Sequence, residues 1–205
     1  MSYLNKYVWE IVPENLPMVK RNCPKCNEKT HFINSEKFRV NANKNNLDVW
    51  LIYQCERCKS TYNMTIYERV KPSDLNKVEY EKLLANDKEL AFEYGFDFRM
   101  FSKNKAEVIV DKIRYKVKEK KFSACYVNKD QCVIEIVCKY PIDIRVDKLL
   151  CEKLQVSRSK IKKLHDKGII VIDNDKNSLS CKVKDGMEIH ILKIQENTLL
   201  KEEIV

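Results

Sequence analysis

The chain has 205 residues, of which 44% are hydrophobic and 34% are charged. This balance is typical of a folded protein of one or two domains and excludes a disordered polar chain. No apolar run reaches the roughly 18 residues of a membrane-spanning helix, and segment 1–17 lacks the apolar core of a secretory signal, so we expect a cytoplasmic protein without a membrane partner.

The formal net charge is +9, from 39 basic and 30 acidic residues. A basic excess fits a nucleic-acid partner, but it equally fits a plain lysine-rich protein, so the position of the charges has to decide. The chain has three glycines and contains neither GxGxxG nor GxxxxGK[ST]. This composition argues against a phosphate-binding glycine loop.

Two cysteine pairs, CPKC at 23–26 and CERC at 55–58, carry the clearest motif in the chain. Two residues between cysteines allow both thiolates of a pair to face one metal ion, and two such knuckles complete a tetrahedral Cys₄ site. We therefore predict that Cys23, Cys26, Cys55 and Cys58 bind a structural Zn²⁺. Nine cysteines without a secretory signal favour metal binding over disulfides. We also expect the metal to be needed for folding, since a segment this short buries little core.

The residues between the two pairs have the pattern of a β-hairpin. Segment 37–43 alternates apolar and polar residues, segment 47–54 can return beside it, and the turn falls at 43–46. A third strand is predicted at 61–70. This arrangement resembles a zinc ribbon, with Asn27 and Lys59 at the positions after each pair where many ribbons have glycine.

Other uses of the cysteines fit less well. A catalytic zinc needs an open coordination position, and a thioredoxin-like pair needs a βαβ setting, which neither pair has. His31 follows the first pair and could replace a ligand, but four cysteines already suffice. The remaining cysteines show no ligand spacing and are predicted to pack in the core. They are Cys125, Cys132, Cys138, Cys151 and Cys181.

The middle of the chain predicts a helix over 71–96, capped by Ser73 and interrupted at Asn86-Asp87. Strands are predicted at 112–121 and 132–140. The first of these has many basic residues, which suit either a nucleic-acid surface or, more simply, a sheet edge protected from aggregation. Pro141 marks the start of the last domain.

Two short helices are predicted after Pro141. The first runs from Asp147 to about Leu154, and the second starts after Ser157, a good N-cap, and ends at Gly168. The second helix has a cationic face that is opposed only by Asp166. An exposed helix face usually mixes charge signs, so this one favours a polyanionic partner. Its basic residues are Arg158, Lys160, Lys162, Lys163 and Lys167.

A β-hairpin is predicted after the helix pair, from IIVIDNDKN and from the strand entered through Asp185-Gly186. The helix-helix-hairpin order resembles the alpha-L RNA-binding motif of a small-subunit ribosomal protein, pseudouridine synthases and tyrosyl-tRNA synthetases. The matching residues are Arg145-Val146-Asp147, Ser157-Arg158, Leu164, Gly168, Ile172-Asp173-Asn174 and Lys184-Asp185-Gly186. The chain differs from the motif at His165, Asn174 and Met187.

The resemblance implies that Arg145, Arg158, Lys162 and Lys163 contact RNA phosphates and that Asp147 is structural. Most of the chain also resembles a bacterial family of unknown function, domain of unknown function 1062. That resemblance rests on the cysteine pairs, FRVNAN, LDVWLIY and VSRSKIKKLH, and it implies no activity.

Together these patterns predict an α+β protein with three parts and a tail. The predicted parts are a zinc ribbon of antiparallel strands at 1–70, a helical and β connecting segment at 71–140, an alpha-L-like domain at 141–194 and a tail at 195–205. The expected function is non-catalytic binding of structured rRNA or tRNA, with the ribosome as a candidate partner. In the ribbon, Arg39, Asn41 and Asn43 share a strand face that either holds RNA or only faces solvent. Trp50 and Tyr53 either stack on bases or pack in the core.

The alternative is a protein-interaction or DNA-binding regulator that docks a partner on the ribbon and places the basic helix in a major groove. Lysine supplies charge more than base choice, which favours RNA over a base-reading helix. An enzyme has little support, because the three histidines lie far apart in the sequence and no HxE or GxSxG motif accompanies them. We expect no catalytic residue.

Overall fold

The structure is a computed structural model that describes residues 3–122, 127–173 and 178–192, with side chains described for 6–122, 132–173 and 178–192. The chain is a mixed α+β protein with two compact units. We call Asn15–Arg114 the cysteine unit and Met1–Glu14 with Tyr115–Val205 the helix-pair unit.

The described residues contain ten strands and five α-helices. The strands are β1 (Tyr3–Pro13), β2 (Met18–Cys23), β3 (Glu28–Asn43), β4 (Asn46–Cys55), β5 (Thr61–Val70), β6 (Glu107–Ile109), β7 (Tyr115–Phe122), β8 (Val127–Val137), β9 (Ile170–Ile172) and β10 (Glu188–Leu192). The helices are α1 (Lys77–Ala85), α2 (Lys88–Gly95), α3 (Phe98–Lys103), α4 (Val146–Leu154) and α5 (Arg158–Asp166), with a 3-10 turn at Pro72–Asp74.

The cysteine unit is built on an antiparallel sheet in the order β5-β4-β3-β2-β6. Strand β4 alternates buried and half-buried residues along its whole length, as expected for a strand with one face in the core. Its inward side chains include Leu51 and Tyr53, and they share a core with Leu83 of α1, Ala91 of α2 and Phe101 of α3. The helices therefore cover one face of the sheet.

The predicted hairpin of the cysteine unit is confirmed. Asn43 pairs with Asn46 across a two-residue turn, and Lys44 in that turn has a left-handed φ of 55°. The third strand at 61–70 is also confirmed. Strands β2 and β6 were not predicted. Strand β2 pairs with the start of β3 across the first cysteine pair, a part of β3 that the predicted hairpin did not include. Strand β6 has three residues and pairs with the distant β2.

The predicted helix cap at Ser73 is wrong. Pro72 starts a 3-10 turn, and α1 begins after Asn76, whose side chain accepts from the N–H groups of Val78 and Glu79. The break at Asn86-Asp87 is confirmed, because Asn86 is left-handed and Asp87 caps α2.

The free edge of β5 is partly occupied by a side chain. The Asn104 amide accepts from the Thr65 N–H at 2.9 Å and donates to the Thr65 carbonyl at 2.9 Å. These bonds imitate one step of strand pairing and protect that edge from another chain.

The helix-pair unit has a mixed sheet in the order β7-β1-β8-β10-β9. Strand β1, from the start of the chain, pairs antiparallel with β7 and parallel with β8. Trp9 and Ile11 of β1 are buried, as is Ile136 of β8. Strand β7 lies at the edge of the sheet, as predicted for the lysine-rich segment. The antiparallel pairing of β9 and β10 confirms the predicted C-terminal hairpin, whose turn lies partly outside the described residues.

Helices α4 and α5 begin and end close to the predicted positions. Leu149 and Leu150 of α4 and Ile161 of α5 are fully buried. Ser157 caps α5, since its side chain accepts from the Lys160 N–H. Gly168 follows the helix with φ 67°, a left-handed conformation that costs glycine little.

The compact units divide the chain after positions 14 and 114, whereas the predicted boundaries fall after 70, 140 and 194. Two long-range interactions produce the difference: β1 joins the sheet of β7 and β8, and helices α1–α3 complete the core of the cysteine unit. Within the part of the chain that the structure describes, no helix is both long and apolar enough to cross a bilayer.

Candidate metal centre and candidate nucleic-acid interface

The four predicted ligand cysteines lie together at one end of the cysteine-unit sheet. The sulfurs of Cys23, Cys26, Cys55 and Cys58 are all within 4.8 Å of one another. Across the two knuckles, Cys23 Sγ lies 3.4 Å from Cys58 Sγ, and Cys26 Sγ lies 3.9 Å from Cys55 Sγ. A tetrahedral site with metal–sulfur bonds of about 2.3 Å requires edges of roughly 3.8 Å. The cluster is therefore compatible with a four-thiolate metal site.

The backbone folds into the same tight turn after each pair. The N–H of Asn27 donates to Cys23 O at 2.9 Å, and the N–H of Lys59 donates to Cys55 O at 3.1 Å. Asn27 has φ 54° and Lys59 has φ 61°, so both adopt the left-handed conformation for which many ribbons have glycine. The lysine at the second turn therefore does not prevent the knuckle from forming.

Two hydroxyls contact the sulfurs and favour thiolates. Ser60 Oγ lies 3.0 Å from Cys58 Sγ, and Thr30 Oγ1 lies 3.2 Å from Cys55 Sγ. Hydrogen bonds from the Ser60 side chain and backbone lower the pKa of Cys58 to about 6. Burial alone would raise the pKa of Cys55, but bonds from the Cys58 backbone and the Thr30 hydroxyl outweigh it and lower that pKa. Hydrogen bonding to Cys58, followed by burial, raises the pKa of Cys26 to about 12. The thiols therefore share charge unequally, and a bound cation would favour the deprotonated form of each.

His31 is not part of the sulfur cluster. Its Nδ1 lies 3.0 Å from Glu56 Oε1, a contact that lowers the pKa of Glu56. Of the other cysteines, Cys132 and Cys138 are buried, as predicted, while Cys151 and Cys181 are half-buried. Cys125 lies outside the described residues.

The second candidate site is a cleft of about 540 Å³ in the helix-pair unit. A cleft of this size is in the range that holds a small organic group such as a nucleotide. Cationic side chains line one part of it, and the segment 178–180 forms another wall. The lining includes Arg145, Arg158, Lys162, His165, Ser178 and Ser180.

Asp147 organises the two arginines of the cleft. Its carboxylate, with 11% of the side chain exposed, accepts from Arg145 Nε at 3.0 Å and Nη2 at 2.8 Å. Arg158 Nε lies 3.8 Å from the same carboxylate. The arginine side chains stay 51% and 64% exposed, so each keeps donors for a ligand. The structural role expected for Asp147 is consistent with these contacts.

The structure separates the predicted basic residues into two groups. Arg145, Arg158 and Lys162 line the cleft, whereas Lys163 and Lys167 are exposed one turn apart beside it. Lys162, Lys163 and Lys167 form no ion pair with any residue in the described ranges. Lys160 is half-buried and does not line the cleft.

The predicted ribbon surface is only partly available. Arg39, Asn41 and Asn43 are exposed on β3, and the Arg39 guanidinium lies 5.9 Å from the centre of the Trp50 ring. Trp50 is half-buried, but Tyr53 is completely buried and belongs to the core. Tyr53 therefore cannot stack on a base.

The second wall of the cleft was not predicted from the sequence. The Asp147 N–H donates to Leu179 O at 3.0 Å, and Arg145 forms a β-bridge with Lys182. These contacts bring Ser178 and Ser180 to the same cleft as Arg158 and Lys162 of α5, although Ser178 lies twelve positions after the end of that helix. No local pattern indicates that pairing. Ser60, two residues after the second cysteine pair, could have been found as a hydroxyl next to a ligand.

One known protein family matches the chain. The family described as Protein of unknown function (DUF1062) matches residues 40–176, which is more than half of the chain. The chain therefore belongs to this family. No curated protein and no solved structure matches it significantly.

Proposed function

We propose that this DUF1062 member is a non-catalytic, zinc-containing protein that binds structured RNA, with rRNA or tRNA as the target and the ribosome as a candidate partner. The observation that carries the proposal is the cleft where Arg145, Arg158 and Lys162 meet beside α5. Guanidinium and ammonium groups converging on an exposed cleft suit the phosphates of a nucleic-acid backbone.

The neighbouring helix α4 serves as an internal comparison. Its lysines have partners: Lys148 lies 3.8 Å from Glu152, and Lys153 lies 3.1 Å from Glu119. Lys162 and Lys163 of α5 form no such pair within the described ranges. Unpaired like charges on a nine-residue helix repel each other, and a polyanion relieves this repulsion.

RNA is the favoured polyanion because the cleft is dominated by charge rather than by base-reading amides. Structured RNA is recognised mainly through its shape, phosphates and 2′-hydroxyls. A DNA reader needs side chains such as Asn, Gln or Arg that pair with base edges in the major groove. Arg145 and Arg158 line the cleft, but both lie against the Asp147 carboxylate, and no Asn or Gln accompanies them in the lining.

We propose Zn²⁺ as the metal of the sulfur cluster, in a structural role. Four thiolates in a tetrahedral arrangement select zinc or iron and leave no open position for a substrate. Elemental analysis of the purified protein should find one zinc per chain and no iron, with no visible absorbance. One iron per chain would overturn the choice of metal.

The RNA proposal is tested by titrating the full chain with a structured rRNA fragment and a DNA duplex of equal length at two salt concentrations. The informative variant is Lys162→Glu with Lys163→Glu, which disturbs no ion pair among the described residues. We expect tighter binding to RNA than to DNA. The double variant should lose most of the RNA affinity. The slope of its log affinity against log salt concentration should become shallower, by an amount that corresponds to about two lost phosphate contacts.

A matched control is Lys118→Glu with Lys120→Glu on β7. Both residues are exposed and belong to the helix-pair unit, and the control changes the net charge by the same amount as the α5 variant. It should keep the RNA preference of the wild-type protein. Equal losses in both variants would show that net charge alone attracts RNA. Equal, weak binding to both polymers that disappears at the higher salt would refute the proposal and favour a protein partner at the cysteine unit.

A further inference from the structure

We infer that His165 is a specificity-determining residue of the cleft, whose Nε2 accepts a hydrogen bond from a ribose 2′-hydroxyl and thereby selects RNA over DNA. This inference rests on the proposed RNA-binding function and adds to it the group that distinguishes the two sugars. The cationic side chains of the cleft cannot supply this choice, because RNA and DNA carry the same phosphates.

The tautomer of His165 follows from one contact. Its Nδ1 lies 2.9 Å from the carbonyl oxygen of Ile170. A carbonyl oxygen only accepts, so Nδ1 carries the hydrogen. In the neutral ring Nε2 is then an acceptor with a free lone pair. The structure gives Nε2 no partner among the described residues, and the ring lines the cleft.

The position of the ring suits contact with a sugar. His165 lies three residues after Lys162 and seven after Arg158, so the three side chains share one face of α5. A phosphate held by the two cations brings the adjacent ribose to the same face. Because Nδ1 is tied to the start of β9, the ring is held in one orientation before any ligand arrives.

The charged groups of the cleft are less suited than His165 to accept from a 2′-hydroxyl. Arg145, Arg158 and Lys162 only donate. The Asp147 carboxylate already accepts from Arg145 and from the Lys148 N–H. Asp166 is the remaining carboxylate of the lining, and its charge repels the phosphates on either side of the sugar. Asp166→Asn is therefore a direct test of the competing assignment.

The experiment compares three duplexes of one sequence: RNA, fully 2′-O-methylated RNA and DNA. The 2′-O-methyl duplex keeps the phosphates and the RNA-like helix but lacks the hydroxyl donor. Fluorescence anisotropy should show that the full-length wild-type protein binds RNA about threefold to tenfold tighter than 2′-O-methyl RNA, the range that one hydrogen bond supports. In His165→Leu, RNA affinity should fall to the 2′-O-methyl value while the 2′-O-methyl affinity stays unchanged. Asp166→Asn should keep the wild-type difference.

His165→Gln separates recognition from folding, since its amide retains an acceptor at similar reach. If His165→Leu weakens all three duplexes equally, recovery of the difference in His165→Gln supports the inference, and its absence overturns it. A difference that survives in His165→Leu, or that is lost in Asp166→Asn alone, also overturns it. Either result leaves RNA binding itself intact, whereas a wild-type protein that does not prefer RNA to DNA refutes the proposed function.

Discussion

Replacement of Cys58 by serine should remove the metal and destabilise the cysteine unit without unfolding it. Cys58 is half-buried, as is Cys26, while Cys23 and Cys55 are buried, so Cys58→Ser disturbs the packing less than replacement of a buried ligand. The unit has a core of its own, in which strand residues such as Leu51 pack with Phe101 of α3. The sequence predicts that the metal is needed for folding, because the cysteine-containing segment is short. Since helices α1–α3 add to the core, we expect the whole unit to stay folded without metal, although less stably.

The size of the effect follows from linkage. A metal present at 1,000 times its dissociation constant stabilises the folded state by about 4 kcal/mol. The unit spans Asn15–Arg114, and for a domain of this size each kcal/mol shifts Tm by about 4–8 °C. We therefore expect Cys58→Ser, or removal of zinc by a chelator, to lower the Tm of this unit by about 15–30 °C.

The two tryptophans allow each unit to be followed separately. Trp50 lies in the cysteine unit and Trp9 in the helix-pair unit. Thermal melts monitored by fluorescence in Trp9→Phe and Trp50→Phe backgrounds should show the loss only where Trp50 remains. Cys151→Ser, a half-buried cysteine outside the cluster, is the matched control and should change neither transition. An unchanged Trp50 transition after complete loss of metal would refute a structural role for the site.

Three further predictions test the local interactions. Asp147→Asn should lower the free energy of unfolding, measured by urea denaturation, by about 1–2 kcal/mol. This is less than the loss of a fully buried ion pair, because the Arg145 partner is half-exposed. A loss under about 0.5 kcal/mol would contradict a stabilising role for this ion pair. Asn76→Ala should lower the free energy of unfolding by about 1 kcal/mol through loss of the α1 cap, whereas Ser73→Ala should change it by less than about 0.5 kcal/mol. A larger loss in Ser73→Ala than in Asn76→Ala would instead favour Ser73 as the cap. Burial, followed by a hydrogen bond to Glu79, raises the pKa of Tyr94. The folded state therefore favours the protonated Tyr94 hydroxyl. The stability gained in this way is complete below the unfolded tyrosine pKa of about 10 and declines as pH rises above that value. Denaturation midpoints between pH 8 and 11 should decline less steeply in Tyr94→Phe.

The features that sequence analysis predicted correctly depend on residues close together in the chain. The Lys44-Asn45 turn, the break at Asn86 and the Ser157 cap each follow from the conformational preferences of a few neighbouring residues. The grouping of the four cysteines also follows from spacing within each pair and from the hairpin that joins the pairs. Ser73 and Asn76 are both good caps, and composition alone could not choose between them. Pro72, by starting a 3-10 turn, decided the choice.

The features that sequence analysis missed depend on contacts between distant segments. Strand β1 has an alternating apolar pattern, but nothing near it in the sequence indicates that its partners begin at Tyr115 and Val127. Val78 and Leu84 have the helical spacing of core residues, yet they are 61% and 54% exposed, because only the Leu83 side of α1 reaches the sheet. The serine wall of the cleft is another long-range result.

Two lysine-rich elements of the helix-pair unit have different physical explanations. Lysines on β7 occupy the edge of a five-stranded sheet, where charge prevents pairing with another chain, so the fold itself accounts for them. Helix α5 has no open edge to protect, and Lys162 and Lys163 have no acidic partner among the described residues. Folding alone would favour mixed charges on this helix. The cationic face of α5 is therefore better explained by an anionic ligand than by stability, which is why the charge-reversed variants on α5 and β7 should differ in RNA affinity despite equal net charge.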